Sequence, residues 1–243
     1  MGGPVSRSFF MVLAILLSVS VVADDSARMV RAIRDNDVRQ IELLLNNGAS
    51  SNVMTRDGKT MLMAAAAAGY LSLVGRLLDS GSPVNAVNDR GGDALMYAAS
   101  YGRVKVIRYL LGKNARPARR AQNGWTALTL AVAKGHTPVV RVLLDAGVDP
   151  NTADVFGWTP LMRGVANNKA GSVRLLLGHT GTDINRRNAN GQHALHIAVD
   201  SGSCDMIGLL ESAGADAGIA DAAGRTVFDY VQRSGRCAEE LSR

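Results

Sequence analysis

From Gly58 onward, apolar and polar positions recur in one fixed order. Leu62, Leu95, Leu128, Leu161, Leu195 and Phe228 each stand four residues after a glycine. A small or branched residue follows three places later, at Ala65, Ala98, Ala131, Gly164, Ala198 and Val231. Positions three apart share one helix face, so the pattern predicts a short helix with an apolar stripe and room for a close neighbour. Gly69, Gly102, Gly135, Asn168, Gly202 and Gly235 then supply a residue type that tolerates the left-handed helix stop. A second apolar helix follows, closing on Leu77-Leu78, Leu110-Leu111, Leu143-Leu144, Leu176-Leu177 and Leu209-Leu210. Polar turns such as Ser82-Pro83-Val84-Asn85 and Val148-Asp149-Pro150-Asn151 carry the chain onward.

The leading glycines are Gly58, Gly91, Gly124, Gly157, Gly191 and Gly224, spaced by 33, 33, 33, 34 and 33 residues. A fixed period in this range predicts a solenoid of stacked two-helix units. Such units bury their apolar faces only against neighbours, so the ends must be capped by polar surfaces.

Several stretches carry a family resemblance. Trp158-Thr159-Pro160-Leu161, Ala194-Leu195-His196-Ile197-Ala198, Gly135-His136 and Leu143-Leu144-Asp145-Ala146-Gly147-Val148-Asp149 resemble the ankyrin repeat, in register over residues 25–243. The resemblance implies an all-α solenoid of helix–turn–helix units joined by short hairpin fingers. The predicted division is a capping repeat over 24–57, five repeats over 58–223 and a C-terminal cap over 224–243. That cap is expected to hold one helix and a truncated second one ending at Glu239-Glu240-Leu241. Two departures predict weak points. Gly164 replaces the usual alanine, and Glu211 replaces the second leucine of its pair at a normally buried position. A helical glycine costs about 1 kcal/mol against alanine and a buried carboxylate needs a partner, so the fourth and fifth repeats are expected to be the least stable.

Residues 1–23 have the pattern of an export signal. Arg7 precedes the apolar run from Phe9 to Val22, and Val21-Val22-Ala23 places a small residue before Asp24. The run is short of the roughly 20 residues of a spanning helix, so a cleaved signal peptide is expected rather than a retained anchor. The chain has no Asn-x-Ser/Thr sequon. The predicted location is therefore a bacterial periplasm or the exterior.

Composition narrows the chemistry. The 243 residues carry 27 Lys+Arg against 21 Asp+Glu, a net charge of +6, with both signs interspersed. That mild excess does not indicate nucleic acid. Hydrophobic residues make up 47% but aromatics only 5%, which suits thin packed layers. No H-E-x-x-H, G-x-S-x-G, Walker-type loop or C-x-x-C occurs, and no enzyme or cofactor is expected. His193 and His196 could share a metal on one helix face, but His196, like His136, matches the family's hydrogen-bonding histidine, and a structural role is expected. Cys204 and Cys237 each stand thirteen residues after their glycine, in adjacent repeats. Packed helices lie about 8–10 Å apart while a disulfide wants Cα atoms within about 7 Å. A bond would need the last repeat to tilt inward, so a disulfide, two buried thiols and a redox pair all stay open.

Function is then expected from surface. Ankyrin partners usually contact finger tips and the concave face of the first helices. Those positions hold Trp125, Phe156 and Trp158 on adjacent fingers, with Arg90, Tyr101 and Lys134 beside them. Tryptophan, tyrosine and arginine are the usual stuff of binding hot spots. A second surface is basic: Arg108, Arg141 and Arg174 repeat on the second helices, with Arg119-Arg120 and Arg186-Arg187 on the fingers. The expected function is a monomeric, exported, non-catalytic protein-binding module. Small exported ankyrin proteins, which the chain resembles, imply a partner such as catalase or a toxin. The alternatives are redox or metal handling through Cys204/Cys237 or His193/His196, and attachment to an anionic envelope surface through the arginine column.

Overall fold

The computed structural model describes residues 25–51, 53–239 and 241; the expected signal segment 1–23 lies outside them. Helices follow one another in pairs. Residues 25–35 form α1, and α2 (Val38–Asn46) completes the first pair. Then come α3 (Met61–Ala68) with α4 (Leu71–Asp79), and α5 (Ala94–Ser100) with α6 (Val104–Gly112). The next pairs are α7 (Ala127–Lys134) with α8 (Thr137–Asp145) and α9 (Pro160–Ala166) with α10 (Ala170–Leu177). α11 (Ala194–Ser201) pairs with a 3₁₀ turn (Cys204–Met206) that runs into α12 (Ile207–Ser212), and α13 (Val227–Ser234) ends the stack. Among the described residues the only β pairing is a single antiparallel bridge between Met54 and Thr60.

The predicted periodicity maps directly onto this stack. Thr60, Thr126 and Thr159 cap the first helices, accepting N–H bonds from Met63, Thr129 and Met162, and Asp93 does the same for Met96. Each cap is worth about 1 kcal/mol. Leu62, Leu95, Leu128, Leu161 and Leu195 are all buried in one continuous core, each contributing about 1.5–3 kcal/mol. In three repeats the residue after the helix stop reaches back to the preceding repeat. Arg103 Nε donates to the Ala67 carbonyl (2.8 Å), His136 Nε2 meets the Ser100 carbonyl (3.0 Å), and Arg236 Nη1 donates to the Asp200 carbonyl (2.9 Å). His136 is thus a tie between repeats.

Fingers connect the pairs, each a tight hairpin closed around its repeat glycine. Adjacent fingers are joined by backbone bonds: Asp89 N–H to Asp57, Gln122 to Arg90, Val155 to Asn123, Ala189 to Phe156 and Ala222 to Asn190, at 2.9–3.2 Å. The period in glycine follows from this ladder. Gly124 has φ +81°, and a Cβ there would stand 2.7 Å from the Asp154 Cα of the next finger. Only a residue with no side chain satisfies both demands.

Three expectations change. Glu211 is exposed, because the position after the first leucine of each pair lies at the rim of the core, so no carboxylate is buried there. Gly164 is not a vacancy: a Cβ would lie 2.9 Å from Val132 Cγ1 and 3.0 Å from Val173 Cγ2, so the glycine makes room for a valine on α7. The expected truncated helix after α13 is absent over residues 235–239. There the chain turns inward with Cys237 at φ +58° and bonds to Cys204, the two Cα atoms 5.1 Å apart. Two helices could not approach so closely, but a 3₁₀ turn and a non-helical segment can. With no second helix over residues 235–239 to cover it, Phe228 is exposed where its leucine counterparts are buried.

Candidate functional site

One register governs the contact between fingers and first helices. The side chain just after a repeat glycine lies against the sixth residue after the next glycine. Lys59 Nζ stands 5.6 Å from the centroid of Tyr97, and also donates to the Arg34 carbonyl at 2.9 Å. The Arg163 guanidinium carbon is 5.1 Å from the Trp125 ring. Gln192 Nε2 donates to the Tyr230 hydroxyl at 3.0 Å. The member of this series facing Leu130 is Gly92, which has nothing to offer. Where that side chain is missing, a groove of about 640 Å³ opens, walled by Arg90, Tyr97, Tyr101, Trp125 and Leu130.

Arg90 and Tyr101 are exposed, Trp125 is half-buried, and the groove brings these three expected residues together. Among the described residues no hydrogen bond or ion pair engages the Arg90 guanidinium, the Tyr101 hydroxyl or the Trp125 indole N–H. The Tyr97 hydroxyl accepts from Asn88 Nδ2 at 3.1 Å. Lys134 is exposed but does not line the groove. Phe156 is 64% exposed beside an exposed Val155, making an apolar tip where the corresponding residues of other fingers are polar or alanine.

Trp158 stands on its finger but does not line the groove. Its ring packs on the core and stacks on Arg163, whose guanidinium carbon lies 4.5 Å from the ring centroid, so Trp125 and Trp158 hold one arginine between them. Arg163 also pairs with the buried Asp154, whose other oxygen accepts from the Phe156 and Trp158 amides. Burial pushes the Asp154 carboxyl up, but the Arg163 guanidinium and those amides outweigh it and hold it below the usual range. Trp158 therefore anchors its own finger. Arg163 and Gly92 were not singled out from the sequence. Their signal is departure from register: Arg163 stands where other repeats have Ala64, Tyr97, Leu130, Ile197 and Tyr230. Gly92 stands where they have Lys59, Trp125, Trp158, Gln192 and Arg225.

At the C-terminal end the same positions are consumed internally. Arg225 Nη2 and Nε reach Asp221 Oδ2 at 2.7 and 3.0 Å, and the Tyr230 hydroxyl donates to that oxygen at 2.8 Å. Those bonds, the Arg225 bond first, hold Asp221 well below the usual carboxylate range. His193 and His196 are fully buried with ring centroids 4.4 Å apart. His193 Nδ1 accepts from the Leu195 amide, His196 Nδ1 from the His193 amide, and His196 Nε2 meets the Arg225 carbonyl at 3.2 Å. Burial, then His196, push His193 down to about 4. Among the described residues no cluster of three potential metal ligands forms.

The basic column is present as exposed side chains at Arg108, Arg141 and Arg174. The finger arginines are mostly engaged. Arg119 lies 3.5 Å from the buried Asp93, Arg120 donates to the Ala153 carbonyl, and Arg187 donates to the Gly191 carbonyl.

A model of the ankyrin repeats matches the chain three times, over residues 29–121, 115–188 and 147–221. The chain belongs to the ankyrin-repeat family, whose repeats indicate a protein–protein interaction module. Comparison with curated proteins finds no match.

Proposed function

We propose that this chain is an exported adaptor that binds a protein partner across the concave side of its second to fourth fingers, without catalysis of its own. The observation that carries this reading is the groove at Arg90, Tyr101 and Trp125, continued on the fourth finger by the exposed Phe156. Exposed and half-buried aromatic and arginine side chains in the middle repeats are the composition of a hot spot. Export is supported by the residue pattern at 1–23 and by the Cys204–Cys237 bond, which persists in oxidising compartments. By the family resemblance, such a partner is an enzyme to be protected or a toxin to be neutralised.

The test is capture from the envelope fraction of the exporting cell, wild type beside a Tyr101→Ala/Phe156→Ala variant. Both side chains are exposed, so the variant keeps its fold. A protein retained by wild type and lost by the variant supports the reading. Equal retention places the binding face elsewhere, with the Arg108, Arg141 and Arg174 column next to be tested.

A further inference from the structure

The Gly92 hollow says what kind of segment the partner brings. Its walls above and below are Met96, Leu130 and the rings of Tyr97, Tyr101 and Trp125, a lining that suits one apolar side chain. Its rim is different. Among the described residues the Arg90 guanidinium, the Tyr101 hydroxyl and the Trp125 indole N–H are donors without acceptors, and no Asp or Glu lines the groove. Asp57 on the preceding finger accepts from the Thr55 hydroxyl and lies near enough to Arg90 to be lowered by its charge, but among the described residues the two form no ion pair, so the guanidinium keeps its N–H donors for another carboxylate. A volume of about 640 Å³ lies within the usual range of roughly 300–1,000 Å³ for ligand clefts. The groove runs open between two fingers rather than closing over a ligand, which fits an extended chain.

We infer that this hollow receives an aromatic or leucine-sized side chain from an acidic, extended segment of the partner, with a carboxylate of that segment on the Arg90 guanidinium. The inference rests on the adaptor reading above and adds the chemistry of what is recognised. Specificity arises from subtraction. Lys59 and Gln192 fill the equivalent spaces from within the chain, while Gly92 leaves its space for another molecule. The carboxylate fixes register along the fingers, because a charge-assisted bond to a planar guanidinium is directional.

Two substitutions isolate the claim. Gly92→Gln installs the side chain that Gln192 carries in the same hairpin position beside Asn188, as Gly92 stands beside Asn88. A Cβ at residue 92 would lie 3.3 Å from Asn88 Oδ1, an arrangement the fifth finger already accommodates. Arg90→Gln removes the charge and keeps a polar finger tip.

The probe is a random peptide library displayed on phage and selected on the oxidised full chain, with enriched peptides then measured by fluorescence anisotropy. The expected result is a shared motif of an aromatic or leucine next to Asp or Glu. Affinity should fall at least tenfold in Gly92→Gln and at least fivefold in Arg90→Gln, with unfolding midpoints unchanged. Enrichment of peptides lacking carboxylates, no enrichment, or equal binding to Gly92→Gln overturns the inference. The envelope capture separates the two levels. A partner kept by Gly92→Gln but lost by Tyr101→Ala/Phe156→Ala leaves the adaptor reading standing and removes the hollow. A partner kept by both removes the hollow and moves the binding face away from these fingers.

Discussion

At the second finger the residue after the repeat glycine is Gly92, and at the fifth it is Gln192. The fifth finds Tyr230 of the next repeat, and through it Asp221 and Arg225, so the polar atoms at that junction are largely satisfied within the chain. The second leaves Leu130, Tyr101 and Trp125 facing solvent around a hollow. One fold position thus serves cohesion at the C-terminal end and availability in the middle. The reason is positional. The last pair shows no second helix over residues 235–239, and a disulfide and a polar network tie it to the repeat before it. A central repeat is packed from both sides and can leave its finger side chains unpaired.

The largest effect that would sharpen this contrast comes from the disulfide. The Cys204–Cys237 bond closes a separation of 33 residues, for which chain entropy gives about 3–4 kcal/mol. Reduction, or Cys204→Ser with Cys237→Ser, should lower the urea midpoint of the C-terminal junction and raise hydrogen exchange in α13 while α3 to α8 stay protected. Equal loss of protection along the stack would mean that the two ends are one cooperative unit.

Next is acid. His193 has its folded pKa near 4, below the ordinary 6.5, so the unfolded chain takes up the proton first. Its contribution is fully present above about pH 6.5, declines as the pH falls toward 4 and is then level. The loss is at most about 3 kcal/mol. His196 is lowered by burial and adds with the same sign. His193→Thr, the residue found at Thr60, Thr126, Thr159 and Thr226, should flatten stability over this window. A chemical-denaturation series from pH 7 to 4 reads it, and an unchanged slope would show that His193 is not the group responsible.

A smaller effect belongs to the middle. Arg163→Ala leaves the buried Asp154 carboxylate with backbone amides alone and separates the two tryptophan rings, for a cost of about 2–3 kcal/mol at most. Tryptophan emission should shift in the folded protein, with the unfolding midpoint lowered. If the midpoint holds while emission shifts, the stack is a surface ornament of the fourth finger and the site tolerates its loss.

The smallest is Gly164→Ala. Helix propensity alone would give about 1 kcal/mol of stabilisation. Contact with Val132 and Val173 should reverse it to a loss of about 1 kcal/mol, read from thermal unfolding. In a Val132→Ala background the same substitution should cost less, because one of the two contacts is gone.

The repeat was legible because a solenoid is nearly one-dimensional: each unit meets the next through the same positions, so the period in sequence is the period in space. Leu62 and Leu95, or Gly124 and Gly157, could be placed before any coordinate. The groove was legible in part, through Arg90, Tyr101 and Trp125. Gly92 was overlooked because an absent side chain has no motif, and its meaning depends on what stands opposite it in the next repeat. Trp158 was read as an anchor for a partner, but only the placement of Arg163 and Asp154 shows that it holds its own finger.

The sequence by itself determined the class of fold and the order of its paired helices, since these follow from periodic burial and from glycine at fixed turns. Tertiary structure decided which of the candidate side chains are spent inside the chain and which remain free. It also decided between a disulfide and two thiols, because that choice turns on a 5.1 Å approach made possible by a 3₁₀ turn and an inward bend after α13. Local pattern sets what a residue can do, and the neighbour brought against it from the next repeat sets what it does.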